Sequence, residues 1–220
     1  MISTIPRIAH LPGSQVGVGD LVLSPAEARP FFTRRVVVCE KLDGISLTVR
    51  RDAFGELAAA LKAEWKHALG GRIQRAADLW VQLHRSALEP LVQGTTQLYG
   101  EWLWHRLRVS YDRLPSEVSF YGLRRGHGAL LPFDEVRRRL APSGLTMSEP
   151  LFEGVLGARR LEGLVRRAAW GAGRAEGVIV ELDTGEGVRW AKWVRASYRQ
   201  PVPQALSGVK NRLQSLRHGR

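Results

Sequence analysis

The feature that most constrains this chain is a corner between two β-rich runs. VVVC at residues 36–39 and ISLTVR at 45–50 flank the tetrapeptide Lys41-Leu42-Asp43-Gly44. β-branched residues favour extended backbone and Asp-Gly favours a tight turn, so the segment reads as strand, turn, strand. Further β-like runs follow at 97–103 (QLYGEWL), 117–123 (EVSFYGL), 177–182 (GVIVEL) and 187–194 (GVRWAKWV). In the last of these, alternation puts Arg189, Ala191 and Trp193 on one face and Trp190, Lys192 and Val194 on the other.

Between the strands the period changes. Leu57, Leu61, Trp65 and Leu69 recur every four residues up to Gly70-Gly71, and Ile73, Ala76, Trp80, Leu83, Ala87 and Leu91 form a second stripe. Both predict helices between about Phe54 and Gln93. PFDEVRRRL (132–140) and ARRLEGLVRRAAW (158–170) read as short amphipathic helices with basic outer faces. Residues 1–35, interrupted by Pro6, Pro12, Gly13, Gly17, Gly19, Pro25 and Pro30, read as loop. Strands grouped around helices without regular βαβ alternation predict an α+β fold with largely antiparallel sheets. The 220 residues suit one domain over 1–200 and a basic tail over 201–220, its end VKNRLQSLRHGR a short helix or disordered.

Charge narrows the partners. Lys and Arg number 33 against 21 Asp and Glu, a net +12, which suits a polyanion: nucleic acid first, an acidic membrane surface second. The single cysteine, Cys39, excludes an internal disulfide and a cysteine-cluster zinc site, and the six histidines show no metal-ligand spacing. No apolar run approaches the ~20 residues of a membrane span, and the opening MISTIPRIAHLPGS has no apolar signal core. A soluble, cytoplasmic protein with no membrane partner is expected.

Lys41 is the sharpest candidate for chemistry. A lysine nucleophile must lose its proton, and a tight turn between strands can hold it rigidly while Gly44 admits a ligand close to the backbone. K-x-D-G alone arises by chance in roughly one chain in twenty of this length. Three further pieces follow in order: Gly100-Glu101 in an aromatic-flanked run, Glu176-Gly177 opening VIVEL, and Lys192 in RWAKWVR. A carboxylate beside a phosphate-binding lysine is what magnesium-assisted phosphoryl chemistry requires. Lys41 and Lys192 are two of only five lysines, and arginine cannot act as the nucleophile.

The order EKLDG, YGEWL, FYGL, AEGVIV, AKWVR resembles the covalent nucleotidyltransferases, which comprise DNA ligases, RNA ligases and mRNA-capping guanylyltransferases. Within them the chain most resembles the ATP-dependent RNA ligase domain family. IPRIAHLPGS is similar to that family's N-terminal HLPGS element, YGEWLWHRLRVSYDRLPSEVSFYGL to its central stretch, and KWVRASYRQ to its KYVR-type ending. The likeness runs in order from about residue 5 to 200.

The resemblance implies a nucleotidyltransferase fold and an ATP-dependent RNA ligase that joins 5′-phosphate and 3′-hydroxyl ends. Lys41 would attack the α-phosphate of ATP, release pyrophosphate and carry AMP. Lys192 would contact the α-phosphate as the second catalytic residue. The nucleotide would be held by Glu40, Lys41, Asp43, Gly44, Glu101, Phe120, Glu176 and Lys192, with Glu101 on the ribose and Glu176 on a catalytic Mg²⁺. Arg50, Arg51 and Arg195 would meet nucleic-acid phosphate, and a partner protein could add substrate contacts. Three positions depart from the family pattern. Leu123-Arg124 stands where an aromatic and a small polar residue are usual, leaving Phe120 or Tyr121 in shifted register to stack on the base. Glu181 replaces a basic residue at the end of the fourth motif. Lys192 has only Arg195 nearby instead of a second lysine. The alternatives are a DNA ligase, a guanylyltransferase, or a catalytically weakened nucleic-acid-binding protein of the same fold.

Overall fold

The KLDG corner does not close a hairpin; it carries the chain from one sheet to another. The computed structural model describes residues 7–62, 71–126, 128–157, 160–165, 167–199 and 209–214. The strands are β1 (Ala9–His10), β2 (Arg35–Lys41), β3 (Ile45–Arg51), β4 (Leu57–Leu61), β5 (Gln97–Trp102), β6 (Val118–Arg124), β7 (Pro150–Val155), β8 (Gly177–Asp183) and β9 (Val188–Val194). One sheet has the order β1-β9-β8-β2-β7 and the other β4-β3-β5-β6. Every pairing is antiparallel except that of β1 with β9. Lys41 is therefore the last residue of β2 in the first sheet, and Ile45 the first of β3 in the second.

Gly44 makes this corner possible by close approach, not by an unusual φ. A Cβ there would stand 2.8 Å from both the Trp102 carbonyl oxygen and Leu103 Cδ2. Only a glycine lets the corner press so tightly on the end of β5.

Each sheet buries one face against its own helices, as alternation requires. Val36 and Val38 of β2, Val178, Val180 and Leu182 of β8 and Ala191 of β9 pack with Phe31 of α1 (Pro25–Thr33). Ile45, Leu47 and Val49 of β3 pack with Leu98 and Trp102 of β5 and with Ile73, Ala77, Trp80 and Val81 of α2 (Arg72–Leu83). The two opposite faces line a common cleft of about 860 Å³.

Several expectations change. Residues 57–61 form strand β4, not a helix: Leu57, Ala59 and Leu61 are buried alternately, and Leu47 pairs with Leu61. A spacing of four returns to the same face in a strand as well as in a helix, so Leu57 and Leu61 could not separate the two. Trp65, Leu69 and Gly70 lie outside the described residues. The second stripe is helical but breaks at His84, giving α2 and the short α3 (Arg85–Leu88).

Within the stretch read as loop, α1 has a complete capping box. Glu27 N–H donates to Ser24 Oγ at 3.3 Å, and Ser24 N–H donates to Glu27 Oε2 at 2.9 Å. Pro25 occupies the first helical position, where a missing N–H costs nothing.

Helix α4 (Phe133–Leu140) forms as expected, but its outer arginines are partly neutralised: Arg137 pairs with Asp134, and Arg138 and Arg139 both pair with Glu135. Only α5 (Arg160–Leu164) is helical in the segment 158–170, of which Ala158, Arg159 and Arg166 lie outside the described residues. Strand β7 is an addition to the sequence reading.

Part of the tail is built into the fold. Arg106 N–H donates to the Val209 carbonyl, Asn211 N–H to that of Trp104, and Leu114 N–H to that of Arg212. Residues 201–208 and 215–220 lie outside the described residues.

Candidate active site

The cleft is walled by two sets of alternating positions. On the first sheet, register aligns Val37, Cys39 and Lys41 of β2 with Glu181, Ile179 and Gly177 of β8, and these three with Trp190, Lys192 and Val194 of β9. On the second, Ser46 and Thr48 of β3 lie opposite Glu101 and Tyr99 of β5. Lys41, Glu101, Glu176 and Lys192, spread over 152 positions of sequence, thus face one space.

Lys41 Nζ donates to Glu176 Oε2 at 2.8 Å, with Glu176 almost wholly buried. Burial alone would drive the Lys41 ammonium toward neutrality, but the carboxylates of Glu176, Glu101 and Asp43 outweigh it and raise its pKa. Burial pushes Glu176 up to about 7 against the pull of Lys41. It pushes Glu101 to about 7 as well, despite Lys41 nearby. Ser46 Oγ donates to Glu101 Oε1 at 3.2 Å, while Oε2 is buried without a hydrogen-bond partner. An orphaned carboxylate oxygen aimed into a cleft is suited to receive a ligand hydroxyl. For Lys192, burial lowers the pKa first and the charge of Lys41 second, and Asp20 and Glu176 oppose this.

Three further expected residues, Glu40, Asp43 and Gly44, line the cleft and also have partners within the fold. Asp43 accepts from Arg108 N–H at 2.7 Å, from Val109 N–H and from the Tyr198 hydroxyl at 2.7 Å, and its own N–H donates to Tyr111 Oη at 2.8 Å. It is a buried hub that fixes the corner. Glu40 alternates to the far side of β2, where Val36 and Val38 enter the core, and accepts from Ala169 N–H at 2.7 Å. Gly44 has its open side filled by β5.

Both candidate aromatics, Phe120 and Tyr121, line the cleft, in different settings. Phe120 is fully buried in the second core, tilted against Trp80 at 6.1 Å. The register of β5 with β6 slips between Gly100↔Phe120 and Tyr99↔Gly122, so Tyr121 is the extra residue of a bulge. A bulge re-aims a side chain, and here it turns Tyr121 into the cleft beside Ser46. Tyr121 meets the edge of Trp190 at 5.6 Å. Leu123 is core, and Arg124 lies over the Tyr99 ring.

Glu181 serves this end of the cleft: it accepts from Trp190 Nε1 at 3.0 Å and from Phe133 N–H at 2.7 Å. It thereby fixes the indole and the start of α4.

Of the three arginines, Arg50 lines the cleft and donates to the Arg51 carbonyl at 3.4 Å. Arg51 donates to the carbonyls of Val92 at 3.0 Å and Gly55 at 2.6 Å, tying the β3–β4 turn to the end of the helical segment. Arg195 donates to the Ala175 carbonyl at 2.8 Å and Ser197 Oγ at 2.7 Å, and stands over the Tyr198 ring. Residue type alone could not show that Arg51 and Arg195 reach carbonyls of other segments while Arg50 meets only that of its chain neighbour and lines the cleft. Tyr111, Tyr198, Asp20 and Lys62 of the cleft region carried no sequence signal, since each is defined only by contacts from distant segments.

Residues 34–194 match the family model described as RNA ligase. The chain belongs to the RNA ligase family. Among solved structures, an archaeal ATP-dependent RNA ligase is similar over 88% of this chain and 48% of its own, at 24% identity and TM-score 0.57. An apo variant of a Naegleria gruberi RNA ligase matches over 75% and 51%, at 15% identity and TM-score 0.57. Another variant of a Naegleria gruberi RNA ligase, with ATP and Mn, matches over 75% and 51%, at 13% identity and TM-score 0.53. At these identities the likeness is one of fold, the α+β nucleotidyltransferase fold of RNA ligases. The chain spans about half the length of these solved ligases. No curated protein matches it. Among the described residues, no helix is long and apolar enough to cross a membrane.

Proposed function

We propose that this RNA ligase family member is an ATP-dependent RNA ligase that joins 5′-phosphate and 3′-hydroxyl ends through a lysyl-AMP on Lys41. The observation that carries the reading is the convergence of Lys41, Glu101, Glu176 and Lys192 from both sheets on one cleft. In the first step the Lys41 Nζ lone pair attacks the α-phosphorus of ATP, a P–N bond forms and the P–O bond to pyrophosphate breaks. The proton that Lys41 must lose faces Glu176 at 2.8 Å. Lys192 faces the charge that develops on the α-phosphate. A 5′-phosphate oxygen of RNA next displaces Lys41 from phosphorus, and the amine regains a proton. The 3′-hydroxyl then attacks that 5′-phosphorus, and AMP leaves.

Glu101 supplies its orphaned oxygen to the ribose hydroxyls, and Tyr121 supplies the ring for the base. Support for ATP comes from the family and from the Naegleria gruberi ligase with ATP and Mn.

A divalent cation fits Glu176. Among the described residues no cluster of three or more His, Cys, Asp or Glu could cage a metal, and Mg²⁺ is typically held by one or two carboxylates plus substrate phosphates. Bound there, the cation would supply neutralisation of phosphate charge. Arg50 at the cleft, with the net charge of +12, supports a phosphate-backed polynucleotide substrate.

The test is labelling with α-labelled ATP and GTP in parallel with Mg²⁺, followed by a chase with 5′-phosphorylated nicked RNA or DNA. Label from ATP that passes to RNA and yields sealed strands is expected. Label from GTP alone would make it a guanylyltransferase, and transfer to DNA only would make it a DNA ligase. Absence of label on protein stripped of AMP by pyrophosphate would leave a nucleic-acid binder.

A further inference from the structure

The N-terminal HLPGS element and the loop after it have no part in the chemistry above, yet they are built onto the strand that carries Lys192. β1 runs parallel to β9, with His10 in register with Lys192. Leu11 N–H donates to the Lys192 carbonyl at 2.8 Å and Gln15 N–H to that of Val194 at 2.9 Å. Ser14 Oγ accepts from Val194 N–H at 2.9 Å and lies 2.6 Å from His10 Nδ1.

These contacts set the histidine's tautomer. The Ser14 proton has two acceptors, the Gln15 carbonyl at 3.3 Å and His10 Nδ1 at 2.6 Å, and the shorter contact wins. Nδ1 then accepts, and the ring proton sits on Nε2. His10 is 2% exposed, and its Nε2 lies 3.2 Å from Asp20 Oδ2, an ion-pair contact outside hydrogen-bond alignment that leaves this buried nitrogen without another partner. The same Asp20 oxygen accepts Gly17 N–H at 2.8 Å, and Asp20 Oδ1 lies 3.7 Å from Lys192 Nζ. Val194, Ser14, His10, Asp20 and Lys192 thus form a continuous chain that begins and ends on β9.

We propose that Asp20, oriented by His10, is a positioning residue for Lys192, holding its ammonium at the cleft in place for the α-phosphate. This rests on the nucleotidyltransferase reading of the cleft. Without a fixed counter-ion, the Lys192 ammonium would be repelled by the Lys41 charge. Asp20 offsets that repulsion at 3.7 Å, and His10, buried beside it, limits how the carboxylate can turn. Burial and then the nearby Lys192 charge lower the His10 pKa, in keeping with a neutral ring. The titratable groups bearing on Lys192 are Lys41 from β2, Glu176 before β8, Lys62 after β4 and Asp20 after β1, while His10 of β1 stands behind Asp20.

Asp20→Asn separates positioning from binding by sign. Removing a carboxylate near a polyphosphate leaves ATP affinity unchanged or tightens it, whereas a displaced Lys192 slows the chemical step. ATP Kd, measured in a Lys41→Ala background, is expected to stay equal or tighten. The rate of lysyl-AMP formation at saturating ATP is expected to fall about tenfold or more, as misplaced catalytic groups do. His10→Gln, which keeps a donor toward Asp20, should retain more rate than His10→Leu.

An independent readout uses the full chain with ¹³Cε-labelled lysines, the Lys192 resonance being identified by its loss in Lys192→Arg. Asp20→Asn should shift that resonance and lower the pH at which it titrates. An Asp20→Asn rate within twofold of wild type with an unmoved Lys192 resonance would overturn the inference. Parallel loss of affinity, rate and melting temperature, with His10→Gln no better than His10→Leu, would also overturn it. If wild type forms no lysyl-AMP, the functional reading fails, and the Lys192 resonance still decides whether Asp20 holds that lysine.

Discussion

Asp43 holds the KLDG corner through three accepted hydrogen bonds, and Asp43→Ala tests that role quantitatively. Its carboxylate accepts three donors: Arg108 N–H, Val109 N–H and the Tyr198 hydroxyl. The Val109 and Tyr198 bonds are buried, and the Arg108 bond is partly so. Truncation strands these donors where water cannot replace the acceptor. Each stranded buried donor costs about 1–3 kcal/mol, so the three sum to about 3–9 kcal/mol. For a chain of this size each kcal/mol is worth roughly 2–4 °C of Tm, and the expected loss is roughly 6 °C or more. Asp43→Asn keeps one acceptor oxygen for the two backbone N–H groups and lets the Tyr198 hydroxyl rotate to accept from the amide. It should cost about 1–2 kcal/mol.

Urea denaturation and thermal melting measure both variants, with ATP affinity measured alongside. Asp43→Ala within about 1 kcal/mol of wild type but with weakened ATP binding would refute the hub and make Asp43 a nucleotide ligand.

Three further outcomes follow from the same contacts. Tyr121→Ala should weaken ATP binding with little change in melting, whereas Phe120→Ala should destabilise by about 3–5 kcal/mol; titration calorimetry and urea curves separate them. Glu40, raised to about 7 by burial, gives stability that is full below its unfolded pKa and lost as pH rises through the folded one. Glu40→Gln should therefore match wild type near pH 4 and exceed it by roughly 3 kcal/mol at pH 8, read from urea curves at both pH values. Arg50→Ala should weaken RNA binding and reduce the salt slope by about one, while Arg51→Ala should leave that slope unchanged and lower Tm.

The sequence made the β-rich runs and the order of the four convergent residues legible because they rest on local rules: β-branched runs, Asp-Gly, carboxylate and lysine at strand ends. What it could not show were features defined by partners. The spacing of Leu57 and Leu61 suits either a helix or a strand, and only pairing with β3 decides it. Pro25 looks like a breaker until Ser24 and Glu27 are seen as its cap. Phe120 and Tyr121 are interchangeable by residue type, and only the register shows that Phe120 is paired in the core while Tyr121 is the extra residue of a bulge. The motif around Asp43 gives no sign of its hydrogen-bond partners, which come from residues 65 and 155 positions away. Asn211, in a stretch read as tail, is buried with its side chain donating to the Leu103 carbonyl at 2.7 Å and accepting Tyr111 N–H at 3.0 Å.

The most direct measurement is peptide mapping of the protein after incubation with ATP and a divalent cation, following removal of any bound AMP with pyrophosphate. AMP on the peptide containing Lys41, absent from Lys41→Ala and discharged by fresh pyrophosphate, is the expected result. AMP on a different residue, or none on fully stripped protein that still binds ATP, would contradict Lys41 as the nucleophile.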